Sequence, residues 1–346
     1  MRPRRSLALA SVAAAAALVL SACASGTAGA PAPSSGATTG SSAGADWQPV
    51  TVDHAFGSTS IPVRPERVVT LGWGSTEAAL ALGVVPVGIE KQTYAVDENG
   101  VLPWVNARLD ELGATPTLLP ATVEEPAYED IAALSPDLIL APYSGVTAEQ
   151  YALLAQIAPT VVYPKAAWTT PWREVITLVG ASLGLAAQAD DLVASLDATV
   201  AGAAAAHPEL AGRSVAAVWD TAGTFYVYRP DDSRVAFLLD LGLVGAPSVD
   251  ELASGSASTF FFTLSYEQTD RLDADLVVAY ASTQADADAF LAQPYAQAIP
   301  AVARGAVAMI VGDQLISAMS PPTALSLTWG LDDYLSALAA AATHTS

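Results

Sequence analysis

One cysteine and three histidines in 346 residues leave little room for most site chemistry. A lone thiol, Cys23, forms no internal disulfide. His54, His207 and His344 fall at the edge of the folded region, at the end of an alanine-rich helix and in the C-terminal tail. An imidazole-built zinc or manganese centre is therefore not expected, and a Ser-His-Asp hydrolase is disfavoured on the same count. The Gly-x-Ser-x-Gly string at Gly40-Ser41-Ser42-Ala43-Gly44 lies in a tract with no strand-turn-helix pattern, so no nucleophile elbow forms there. Positive charge is scarce as well. Setting aside Arg2, Arg4 and Arg5 leaves 11 basic side chains against 35 acidic ones, a net charge near −24. Such a field excludes binding to nucleic acid or to anionic lipid. Past the N-terminus no run approaches about 18 uninterrupted apolar residues, so no membrane span is expected there.

The N-terminus has its own grammar. Arg2, Arg4 and Arg5 precede an apolar stretch from Leu7 to Leu20 that is too short to span a bilayer comfortably, and Leu20-Ser21-Ala22-Cys23 closes it. This order resembles the bacterial lipoprotein signal, whose cysteine carries a diacylglycerol thioether. Residues 1–22 are thus expected to be a signal peptide, with Cys23 the lipid anchor on the outer face of the cell membrane. Residues 24–45 contain only Ala, Gly, Ser, Thr and Pro, a composition that buries too little apolar surface to order itself. Residues 23–46 are therefore expected to be an acylated, disordered tether with a span of about 25 Å.

The remaining chain of near 300 residues suits two lobes better than one core. Arg67 to Leu71 predicts a strand, Ser75 to Leu82 a helix ended by Gly83, and Val84 to Ile89 the next strand. Tyr128 to Leu134, Asp137 to Ala141, Tyr151 to Ile157 and Thr160 to Tyr163 continue an alternation that signals an α/β fold with parallel sheets. From Trp172 to Ala206 apolar residues recur at helical spacing, weakened at Gly180 and Gly184, which predicts a long helix or a broken pair. Ser214 to Trp219 opens a second set, continued by Arg234 to Leu241, Leu276 to Tyr280, Val307 to Val311 and a final helix from Thr323. The expected division is a first lobe at 47–167, an inter-lobe helix at 168–206 and a second lobe at 207–346. Tyr128 to Ala141 aligns without gaps on Tyr266 to Ala279 with six of fourteen positions identical, so each lobe is expected to contain the same helix-to-strand step.

Gly72-x-Gly74 behind a strand, with Glu90 ending the next, imitates the opening of a dinucleotide fingerprint. Glu77 occupies the third glycine position, where close helix-strand approach is required, and this argues against a nicotinamide enzyme. Trp73, Tyr94, Tyr143, Trp168, Trp219, Tyr226, Tyr228 and Phe261 fall at strand ends and turns in both lobes. That placement predicts an aromatic cleft between the lobes, outside the carboxyl ends of the strands.

Taken together, the lipoprotein signal and tether, Arg67-Val68-Val69-Thr70-Leu71, Ser75-Thr76-Glu77-Ala78-Ala79-Leu80-Ala81-Leu82-Gly83, Ser135-Pro136-Asp137-Leu138-Ile139-Leu140, the long central helix and Leu264-Ser265-Tyr266-Glu267 resemble one family. It is the substrate-binding lipoproteins of ABC importers for iron-siderophores, haem and cobalamin. Thr170-Pro171-Trp172 resembles its siderophore branch in actinobacteria. The resemblance implies two Rossmann-like lobes joined by a long rigid helix, a monomer that is not an enzyme, and a ligand held in the cleft. It implies that Glu77 and Glu267, one on each lobe's upper surface, dock to arginines of the permease, which works with its ATPase. Trp73, Tyr94, Tyr143 and Trp168 are expected to meet the ligand from one side and Trp219, Tyr228, Arg229, Phe261 and Met319 from the other. Arg229 is expected to fork onto the oxygens of the chelate. Because a tris-catecholate would require a cluster of arginines, a ferric hydroxamate is the expected cargo. Iron arrives inside the siderophore, so no cofactor or protein metal site is expected. Haem or cobalamin is the alternative cargo, with Tyr or Met as an axial haem ligand. An exported nicotinamide enzyme or a surface scaffold lipoprotein are the alternative classes.

Replacing Cys23 by Ser is expected to move the protein from the detergent phase to the aqueous phase on phase partitioning. Retention in detergent would refute the anchor.

Overall fold

The computed structural model describes residues 47–121 and 125–345. The expected signal peptide, Cys23 and the tether lie outside the described residues. Strands β1 (Val50–His54) and β2 (Gly57–Ile61) form an antiparallel hairpin. The first lobe's sheet contains β3 (Val68–Thr70), β4 (Gly88–Glu90), β5 (Thr117–Leu119), β6 (Leu138–Ala141) and β7 (Thr160–Val162), in the order β5-β4-β3-β6-β7. Every pairing in it is parallel. Helices Ser75–Ala81, Pro103–Leu112, Tyr128–Ala133 and Ala148–Ile157 connect the strands. Val68, Val69, Leu138, Ile139, Leu140, Val161 and Val162 are all buried, as an all-parallel sheet covered on both faces requires. The second strand begins at Gly88 and not at Val84, because Pro86 has no N–H to give the ladder and Val85 is 37% exposed.

The second lobe contains β8 (Ser214–Thr221), β9 (Thr224–Tyr228), β10 (Val244–Gly245), β11 (Phe261–Thr263), β12 (Leu276–Ala281) and β13 (Val307–Val311). Their order is β11-β9-β8-β12-β13, with β10 against β8. β8, β12 and β13 are parallel, but β9 runs antiparallel to both its neighbours. Ala222 at φ 51° and Gly223 at φ 75° make the two-residue turn between β8 and β9, where both residues need positive φ. The hairpin matters for position. It pairs Trp219 with Tyr226 and Phe261 with Tyr228, while Tyr280 pairs with Trp219 from the other side. Paired residues share a face, so one face of this sheet carries five aromatic rings.

Residues 168–206 hold two helices, Trp172–Ser182 and Ala186–Ala206. The break has a local cause. Gly184 at φ +69° lets the Leu185 amide reach the Gly180 carbonyl at 2.7 Å and its own amide reach Ala181 at 3.1 Å, the paired bonds of a left-handed helix stop. A Cβ there would also collide with the Trp47 ring. The second Gly-x-Ser-x-Gly string of the chain, Gly180 to Gly184, is this same helix end. Its Ser182 is fully buried and bonds back to the Leu178 carbonyl at 2.7 Å. The two helices fold back on one another, Gly180 against Ala189 and Arg173 bonded to Asp197 at 2.6 Å. Arg173 also reaches Asp240 of helix Ser233–Asp240 at 2.8 Å. The first helix packs on Ser75–Ala81, so the inter-lobe connection proper is the second, 21 residues and about 30 Å long.

The internal repeat has a structural basis. In each lobe the helical turn leads into the fourth strand of the order, β6 or β12. The aspartate before that strand caps the start of its neighbour. Asp137 accepts the amides of Glu66 and Arg67 at 2.8 and 2.9 Å, and Asp275 accepts the amide and hydroxyl of Ser214 at 2.8 and 2.9 Å. Each carboxylate pins the register of the two central strands.

The Ser214 amide first and its hydroxyl second outweigh burial and hold the Asp275 pKa below the usual aspartate value. Its contribution is therefore complete above the unfolded pKa and is lost as pH falls through the folded one. Asp275→Ala is expected to lower unfolding stability by about 1–3 kcal/mol at pH 7, as for a charged hydrogen bond removed from one side. In urea titrations the difference from wild type should shrink in acid; a constant difference would assign the loss to packing.

Candidate functional site

The carboxyl ends of β3, β4 and β6 carry Trp73, Tyr94 and Tyr143. Gly72 permits this convergence. At φ +72° it lies so close to the Tyr143 carbonyl that any Cβ would collide, its amide donates to Glu90 Oε2 at 2.7 Å, and the next amide, of Trp73, donates to that carbonyl at 2.9 Å. Three strand ends are tied at one point. Burial pushes the Glu90 carboxyl above its usual pKa, opposed by that Gly72 amide.

The lobes meet through polar contacts. Tyr94 donates its hydroxyl to Asp313 Oδ1 at 3.0 Å, just beyond β13. Tyr143 lies against Ser233, Asp232 and Arg234; burial first, then the Asp232 charge, raises its pKa to about 12. Arg234 occupies the middle of this junction. Its Nε donates to Ser320 Oγ at 2.6 Å, its Nη1 to Asp232 Oδ2 at 3.3 Å, and its guanidinium carbon stands 4.1 Å over the Tyr228 ring. Burial works against the charge, yet Asp232 and the oxygens of Tyr228, Tyr280 and Tyr143 hold the Arg234 pKa above the ordinary value. Burial likewise takes Tyr228 to about 12, with Arg234 opposing it. A cation so placed keeps 22% of its side chain exposed where residues of the two lobes meet.

The other aromatics singled out in the sequence take separate positions. Trp168, 51% exposed at φ +62°, makes an edge contact with Tyr143 at 5.6 Å and borders a cavity of about 250 Å³ with Gly72, Glu90 and Ser144. Trp73 is half-buried, and its indole N–H has no hydrogen-bond partner among the described residues. Trp219 lies 5.9 Å from Tyr280, and Phe261, 38% exposed, 5.5 Å from Tyr226.

Three expected positions need correction. Arg229 directs Nη1 to the Ser258 carbonyl at 2.8 Å and its amide to Phe260, so it braces β9 against the segment before β11. The guanidinium among the cleft tyrosines belongs to Arg234 instead. Its signal in the sequence was Asp232, which caps helix Ser233–Asp240 by accepting the Arg234 amide at 2.9 Å and so sets Arg234 in the first turn. Met319 is 1% exposed and packs on Gly330 in the core, so its side chain does not line a cleft. Glu77 is 2% exposed and accepts the Trp104 indole N–H at 3.0 Å, so it is not on the lobe's surface. Glu267, in contrast, is exposed in the first turn after Tyr266.

Two α/β lobes, a bridging helix and an aromatic cleft with one caged guanidinium define a two-lobed solute-binding protein. Residues 68–313 match the periplasmic binding protein family model, and the chain belongs to that family. It is 32% identical over 239 residues to the probable siderophore-binding lipoprotein YfiY of Bacillus subtilis, covering 68% of this chain and 70% of the relative. The crystal structure of PiaA from Streptococcus pneumoniae in complex with ferrichrome is 34% identical, with a TM-score of 0.75, covering 85% of this chain and 99% of that one. A periplasmic solute binding protein from Mycobacterium smegmatis is 30% identical, with a TM-score of 0.70 and coverage of 85% and 99%.

Burial raises the Glu77 pKa, and the Trp104 bond lowers it. A raised carboxyl pKa makes the folded state lose stability as pH rises from the unfolded value through the folded one. Glu77→Ala is expected to cost about 1–3 kcal/mol, because it leaves a buried indole N–H without a partner. An unchanged urea midpoint would mean that the carboxylate is not needed there.

Proposed function

We propose that the protein is the extracytoplasmic binding lipoprotein of an ABC importer, held on the outer face of the membrane through Cys23. It captures a ferric siderophore, favoured as a hydroxamate, between its lobes. The observation that carries this reading is Arg234, a part-buried guanidinium with tyrosines of both lobes around it. One fork of donors suits the near-neutral oxygens of a ferric hydroxamate, whereas a tris-catecholate calls for several charges. The aromatic walls suit the apolar rim of such a chelate. Similarity to PiaA, whose structure contains ferrichrome, supports the same class. Iron enters with its coordination shell filled by the siderophore, so the protein's task is to grip the complex.

Docking to the permease follows from the repeat. The position matching Glu267 is Glu129, exposed in the first turn of Tyr128–Ala133, and both follow a tyrosine. Glu129 takes the place in the docking pair for which Glu77 is too deeply buried.

Ferrichrome is expected to quench the fluorescence of Trp73, Trp168 and Trp219. Arg234→Ala should weaken binding tenfold or more, in line with about 1.5–3 kcal/mol for a charged hydrogen bond, and Arg234→Lys should recover part of it. Absence of quenching by every ferric hydroxamate would refute the cargo; unchanged affinity in Arg234→Ala would refute the residue. Charge reversal of Glu129 and Glu267 together should leave affinity within a few fold and abolish iron uptake by whole cells. Normal uptake would refute the docking pair.

A further inference from the structure

The second lobe carries an open pocket of about 410 Å³, with its described walls drawn from that lobe alone. Asp220, at the end of β8, faces the opposite way from Trp219. Its Oδ1 accepts the Tyr266 hydroxyl at 2.8 Å, and its Oδ2 accepts the Tyr295 hydroxyl. The rings of Tyr266 and Tyr295 lie 4.1 Å apart. Asp286 brings a second carboxylate, bonded to Thr283. Trp219 and Tyr280 also border the pocket, and Trp219 lies on the sheet face that carries Tyr226 and Tyr228.

What is missing from the wall is a cation. Among the described residues no Lys, Arg or His lines this pocket, although it contains two carboxylates and several aromatic rings. Ring faces carry negative potential and attract an ammonium, most strongly where water is partly excluded. A phosphate or carboxylate would meet like charge here. The volume falls within the roughly 300–1,000 Å³ of small-molecule sites and exceeds what a bare ammonium needs, so it suits a charged end together with the alkyl chain carrying it.

We propose that this cavity receives an alkylammonium arm of the ligand. The substrate is then a ferric hydroxamate with a pendant protonated amine, its chelate against Arg234 and its arm passing Trp219 to Asp220. This rests on the ferric-siderophore reading above and narrows it. The division of labour follows the charges, with the guanidinium meeting chelate oxygens and the carboxylates meeting the amine.

The test uses one linear ferric trihydroxamate in two forms, with a free terminal amine and with that amine acetylated, titrated by tryptophan quenching against the full chain at pH 7. The amine form is expected to bind at least tenfold more tightly, and Asp220→Asn to bring the ratio of the two affinities within twofold of one. Equal affinities for the wild type would overturn the amine subsite while leaving the siderophore reading intact. So would binding of ferrichrome with neither linear form bound. Failure of every ferric chelate to bind would overturn both. Because Asp220→Asn alters the acceptor of two tyrosines, pentylammonium and pentanol provide a second measurement on the wild type. The ammonium alone should shift the ring NMR signals of Tyr266 and Tyr295; equal responses to both compounds, or none, would overturn the subsite.

Discussion

A guanidinium withdrawn from water needs several partners at once, and Arg234 finds them only where the two lobes meet. Asp232 comes from the cap of the helix that carries it, Tyr228 from β9, Ser320 from the segment before the last helix, and Tyr143 from the first lobe. Each partner depends on a different part of the fold. The antiparallel hairpin must place Tyr228 on the inner face, and the tie at Gly72 must hold Tyr143 at the opposing strand ends. Were either sheet to slip by one residue, its side chains would turn to the other face and the cage would open.

The aspartates before β6 and β12 are what prevent such a slip. They act at the far end of the sheets from the cleft, and they do so with backbone amides of the neighbouring strand. The conformity of the two lobes in this respect explains why the same fourteen-residue pattern recurs.

Most of the architecture was legible because it rests on local patterns. Apolar runs bounded by turn residues marked the parallel strands, and Gly184 marked the helix break. The antiparallel β9 was not legible, since its turn puts Ala222, a residue with no turn preference, at positive φ. That aromatic residues sit at strand ends and turns was readable from the sequence, but side-chain direction was not. Glu77 looks like a first-turn surface carboxylate until Trp104 from the next helix covers it. Met319 looks like a loop residue until Gly330 leaves room for it in the core. Arg229 and Arg234 differ by five residues, and only the helix cap decides which one enters the cleft. Burial of this kind is set by distant elements closing over a residue, which no local pattern records.

The bridging helix has a mechanical consequence. Ala186–Ala206 is continuous, and its partner helix binds it through Arg173, which also grips the second lobe at Asp240. Each ion pair is worth about 1 kcal/mol or less, but together they brace three elements around one side chain. A swing of the second lobe against the first therefore loads a single side chain, because Arg173 holds both the bridging helix and the second lobe.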